Sequence, residues 1–149
     1  MLRTPVTFRS AAFDTTEAKT YFINDENYGD DVAAWMAEQL RTRGIEVDQD
    51  IGQEDHGWYL TFRVEGTAYN FVVGHRDGSR VEWIGWLERS VGLLGLWFGA
   101  RTRGISAEAA LAIHHALSEA DEVTDVEWYD EREFMRGSEE GGAPTPLMV

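Results

Sequence analysis

Alternation of apolar and polar side chains over residues 58–87 constrains this chain most, because only a β-strand places successive residues on opposite faces. Glu65 and Gly66 separate the first two alternating runs, and glycine reaches the positive φ that a tight turn requires. Asp77 and Gly78 mark a second turn before a third run. The stretch therefore predicts consecutive antiparallel strands.

The third run differs from the first two in having apolar side chains on both faces. Val81, Trp83 and Leu87 face one way. Ile84 and Trp86 face the other way. A strand that is apolar on both sides is typical of one that is covered on both sides, by its own chain or by a partner. This run predicts the central strand of the sheet.

Helical periodicity predicts a first helix over residues 30–43. Asn27, Asp30 and Asp31 offer side-chain oxygens that could cap its first turn. Gly44 follows the last turn, where glycine commonly ends a helix.

The remaining elements are shorter. Ser106 predicts the N-cap of a second helix over residues 107–119. Residues 123–129 read as a strand, and alternation of Val6 with Phe8 predicts a short edge strand near the start of the chain.

The element order predicts an α+β fold, with a mainly antiparallel sheet of about five strands and two packed helices. Residues 1–130 are expected to form one domain. Residues 131–149 are acidic and contain glycine and proline, which predicts a disordered tail.

Composition narrows the function classes. The net charge of −14 repels nucleic acid and anionic lipid and attracts basic partners, although it also serves solubility. The absence of cysteine excludes disulfides, thiolate catalysis and cysteine-ligated metals. The chain has no signal-peptide pattern and no apolar run near the roughly 20 residues that a membrane span needs, so a cytoplasmic location is expected.

Two sets of residues are candidates for chemistry or binding. Glu54 and His56 share one side of an extended run and could form a catalytic cleft with His114, although an exposed acidic turn and a core histidine are the simpler explanation. The histidine spacing predicts no metal site, and no cofactor is expected. The second set concentrates aromatic area beside acidic residues and predicts a partner-binding patch, unless its members fill the core: Trp83, Trp86, Trp97, Phe98, Glu82 and Glu88.

Residues 22–24 with 29–31, and 52–55 with 57–58, resemble segments of small stand-alone bacterial proteins that have no assigned function. In size, acidity and element order the chain is also similar to toxin-immunity proteins and to acidic secretion chaperones. Net charge and the concentration of aromatic residues predict a non-enzymatic acidic domain of immunity or chaperone-like class that binds a basic partner protein. The alternatives are a hydrolytic or small-ligand-binding domain and a structural or regulatory subunit, and homodimer formation is left open.

Overall fold

The computed structural model describes residues 2–23, 27–55, 57–76, 82–90 and 104–148. Seven strands and three helices are assigned within these ranges. In chain order they are β1 (Pro5–Arg9), α1 (Asp30–Thr42), β2 (Glu46–Val47), β3 (Gly52–Glu54), β4 (Gly57–Val64), β5 (Thr67–His75), β6 (Glu82–Arg89), α2 (Ala107–Ser118), β7 (Thr124–Trp128) and α3 (Glu131–Met135).

The strands form one antiparallel sheet in the order β2-β4-β5-β6-β1-β7, and β3 also pairs with β4. The predicted α+β class with a mainly antiparallel sheet is confirmed. β6 lies inside the sheet between β5 and β1, as its two apolar faces predict. β1 also lies inside, between β6 and β7, so the prediction of an edge strand at this position is wrong.

The β4–β5 hairpin follows directly from its turn. Glu65 and Gly66 both have positive φ, 51° and 81°, which matches the right-handed twist of the two strands that they join. The resulting register places Leu60 opposite Phe71, and both side chains are buried. Because pairing is residue by residue, the alternating apolar positions that include Leu60 and Phe71 fall on one face, whereas Val72 lies on the other.

That face forms the core, and α1 and α2 cover it. Buried side chains from five neighbouring strands meet the helices in one cluster. A fully buried core of this size is the main favourable contribution to folding. Its largest fully buried members include Trp83, Trp128, Phe8, Phe62, Phe71, Met36, Leu40 and Ile113.

The first turn of α1 differs from the capping prediction. Gly29 is the N-cap, with φ of 132°, and no side chain caps the helix. Asn27 is buried and its Nδ2 donates to the backbone oxygen of Glu54 at 2.9 Å. The indole N–H of Trp58 donates to the backbone oxygen of Asn27 at 2.6 Å. Asn27 therefore joins the loop before α1 to the sheet, a long-range role that local sequence does not reveal.

Residues 131–149, which composition predicts as a disordered tail, make specific contacts in the part described by the structure. Trp128 and Ala143 exchange two backbone hydrogen bonds of 2.7 and 2.8 Å. The backbone N–H of Arg3 donates to the oxygen of Pro146 at 2.8 Å. The C-terminal segment is thus held against β7 and the N-terminus by backbone groups, which leave no signal in amino-acid composition.

Candidate functional site

Trp83, the first member of the predicted aromatic patch, belongs to the core. It is fully buried, and its indole N–H donates to the backbone oxygen of Ser10 at 3.2 Å. The rings of Phe13 and His75 pack against it at centroid distances of 5.9 and 5.2 Å. Trp83 therefore presents no surface to a partner. Trp97 and Phe98, two further members of the patch, lie outside the described residues.

Trp86 lies on the opposite face of the same strand, which we call the outer face. It is half-buried and stands opposite Pro5 on β1 and Val72 on β5. Its indole N–H donates to Oε1 of Glu88 at 3.0 Å. Residues two apart on a strand share a face, so this bond fixes the indole against the sheet.

An open apolar groove of about 380 Å³ lies beside Trp86, between the outer face and α3. Met135 forms part of its wall and is 79% exposed, which is unusual for a large apolar side chain. Phe134 packs against the ring of Tyr129 at 5.1 Å and holds α3 in place. The groove is lined by Thr4, Pro5, Ile84, Trp86, Leu87, Glu88, Glu131, Phe134 and Met135.

Two carboxylates at this groove carry its charge. Burial raises the pKa of Glu131, and the negative charges of Asp130 and Glu88 raise it further, while Arg132 lowers it. Glu88 from β6 and Glu131 from α3 both line the groove. Among the described residues, Glu131 makes no ion pair. The groove therefore combines apolar walls with concentrated negative charge.

A second, polar concavity of about 340 Å³ lies along β1, β6 and β7. In the register between β1 and β6, Pro5 stands opposite Trp86 at the apolar groove, and Arg9 stands opposite Glu82 at the polar concavity. Glu82, another predicted partner-binding residue, accepts a hydrogen bond from Arg76 at 3.0 Å. The polar concavity is lined by Thr7, Phe8, Arg9, Glu82, Asp125 and Glu127.

The alternative catalytic set is described only in part. His56 lies outside the described residues. Glu54 is the last residue of β3 and stands opposite Gly57, the first residue of β4. Nδ1 of His114 on α2 accepts the indole N–H of Trp128 at 3.1 Å, and burial lowers the pKa of this histidine, as does the charge of His115. The joint catalytic role of the three residues stays a prediction.

Comparisons with known proteins give no information about the site. The chain matches no protein-family model, no curated protein and no solved structure. In the described ranges, no group of three side chains of histidine, aspartate or glutamate is placed to hold a metal ion. None of the helices assigned there combines the length and the apolar character needed to cross a membrane.

Sequence reasoning missed the α3 side of the groove, because it assigned Glu131, Phe134 and Met135 to a tail. A local signal was present. Asp130 and Glu133 have the spacing of a capping pair, and Oδ1 of Asp130 accepts the backbone N–H of Glu133 at 3.1 Å. This spacing predicts a helix start even in a segment with few apolar residues.

Proposed function

We propose that this chain is a non-enzymatic acidic protein-binding domain, of the immunity or chaperone-like class, and that it binds a basic partner protein through the groove beside Trp86. The observation that carries the proposal is a half-buried tryptophan in an open apolar groove with two carboxylates at its edge. Tryptophan is prominent among the residues that dominate binding energies at protein interfaces.

Charge complementarity identifies the kind of partner. With a net charge of −14, the chain attracts a basic protein over distances near the Debye length and accelerates its association. A second copy of the chain carries the same charge, so long-range repulsion opposes a homodimer. Apolar contact in the groove would then supply affinity, while the acidic surface supplies steering and partner choice.

The test compares two substitutions that change net charge equally. Met135→Arg places a positive charge in the groove, and Ile23→Arg places one on a residue that is 76% exposed and lies outside the groove lining. The backbone N–H of Ile23 bonds the side chain of Gln53 on β3, which pairs with β4 rather than with β1 or β6. Ile23→Arg therefore changes the net charge by the same amount as Met135→Arg but places no charge in the groove.

Tagged wild-type chain is used to recover bound proteins from its host at low and high salt, and the bound protein is identified by mass spectrometry. The proposal expects one stoichiometric basic protein, released by salt. Met135→Arg should weaken its binding about tenfold or more, whereas Ile23→Arg should change it about twofold. Equal weakening by both variants, or an acidic bound protein, would overturn the proposal, as would a stable homodimer in light scattering.

A further inference from the structure

The composition of the groove specifies the chemical group that it receives. We propose, on the basis of the proposed function, that the groove binds an arginine side chain of the basic partner. The guanidinium lies between Glu88 and Glu131, and the aliphatic stem of the arginine lies against Trp86. The inference depends on three observations: a fixed indole, a half-buried carboxylate that makes no ion pair within the described residues, and the size of the groove.

The indole of Trp86 is preorganised. Its N–H is already bonded to Oε1 of Glu88 at 3.0 Å, so the ring keeps one orientation before a partner arrives. A ring that is already fixed loses little conformational entropy on binding. Aromatic faces attract cations, and the planar guanidinium stacks on them better than an ammonium group does.

Glu131 supplies the charge that a guanidinium would neutralise. It lines the groove and is half-buried, burial and the negative charges of Asp130 and Glu88 raise its pKa, and among the described residues no cation pairs with it. Arg132, its neighbour on α3, opposes this negative potential only in part. A cation placed between Glu88 and Glu131 would remove their mutual repulsion and add charge-assisted hydrogen bonds.

The size of the groove favours a side chain over a folded element. Its volume of about 380 Å³ is at the lower end of the range for ligand pockets. Ile84 and Met135 form apolar walls, which suit the three-carbon stem of arginine and a flanking apolar residue. An arginine with an apolar neighbour is therefore the smallest unit that uses both the walls and the carboxylates.

Three short fluorescein-labelled peptides of equal charge separate this contact from general attraction. The first alternates arginine with leucine, the second replaces arginine with lysine, and the third replaces leucine with glycine. Fluorescence anisotropy measures their affinity for the full chain at physiological salt. The arginine–leucine peptide should bind about tenfold more tightly than the glycine peptide, and more tightly than the lysine peptide.

Two variants of equal charge locate the contact. Glu131→Gln should weaken the arginine–leucine peptide about tenfold, because a charge-assisted bond is lost. Glu65→Gln removes one charge at the exposed β4–β5 turn and should change affinity less than twofold. Equal effects of the two variants, or equal affinity for the leucine and glycine peptides, would overturn the inference. Equal affinity for arginine and lysine would overturn the guanidinium assignment.

The outcomes distinguish this inference from the proposed function. If the peptides bind without discrimination while the host partner still depends on Met135, the inference fails and the proposed function stands. If the arginine–leucine peptide binds as expected but does not displace the protein recovered from the host, the groove is correctly assigned and the proposed partner site fails.

Discussion

Replacing Trp83 and Trp86 separately by alanine tests the division of β6 into a core face and a binding face. The two residues lie three positions apart on one strand and carry the same side chain. Trp83 is fully buried and bonded to Ser10, whereas Trp86 is half-buried at the groove. Trp83→Ala should therefore cost more stability than Trp86→Ala, and only Trp86→Ala should weaken binding of the partner.

The magnitudes follow from buried area. A tryptophan buries about 200 Å² on folding, which corresponds to about 5 kcal/mol at about 25 cal/mol per Å². Trp83→Ala should cost about that amount, within the range for large-to-small core substitutions, and it leaves the Ser10 carbonyl without its donor. Trp86 stays partly exposed, so Trp86→Ala should cost less, about 3–4 kcal/mol.

Urea unfolding followed by circular dichroism measures both costs, and partner affinity is measured under conditions where each variant is folded. Trp83→Ala should leave the affinity of the folded molecules unchanged. Trp86→Ala should lower it by about 2 kcal/mol or more, the usual size of an interface anchor. Equal stability costs would refute the division into two faces, and unchanged affinity in Trp86→Ala would remove its anchor role.

Three further predictions concern single contacts, each measured by urea unfolding. Gly57→Ala should cost about 1–3 kcal/mol, because a Cβ there would lie 2.8 Å from the backbone oxygen of Val73; a smaller cost would mean that the strands separate easily. Lys19→Met should cost about 1 kcal/mol at neutral pH, because Nζ of Lys19 bonds the buried Asp30 at 2.6 Å. Bonding to Asp30 raises the pKa of Lys19, so the difference from wild type should disappear only at strongly alkaline pH. Glu131→Gln should stabilise the protein by up to about 0.5 kcal/mol at pH 7, since burial raises the pKa of Glu131 and disfavours its charged form; this advantage should shrink as the pH falls and the wild-type carboxyl is protonated.

Local patterns predicted the elements better than their arrangement. The runs of β4 and β5, the helices over residues 30–43 and 107–119, and the strand over residues 123–129 all have periodicity that their own residues determine. The position of β1 between β6 and β7 depends on partners about 80 and 120 residues away along the chain. Period-two alternation in β1 contains no information about which strands lie beside it. The three residues of β3 have no apolar alternation, so their pattern gives no signal for this strand.

The candidate site was predicted in part for a related reason. Counting aromatic residues along the sequence grouped Trp83 with Trp86, although alternation already placed them on opposite faces. The structure follows the alternation, with Trp83 in the core and Trp86 at the groove. Aromatic residues that are close in sequence therefore share a surface only when they lie on the same face of the strand.

The groove follows from the different sizes of the elements on the two faces of the sheet. On the inner face, α1 and α2 have 13 and 12 residues and extend about 20 Å each. On the outer face, α3 has five residues and extends about 7.5 Å, less than the width of two strand spacings of about 4.8 Å. A helix this short reaches Ile84 and Trp86 from one side only, and it ends at Met135 with that side chain exposed. Apolar surface left exposed and a carboxylate partly removed from water both cost stability, and under the proposed function a cationic, partly apolar group that fills the groove would recover that cost.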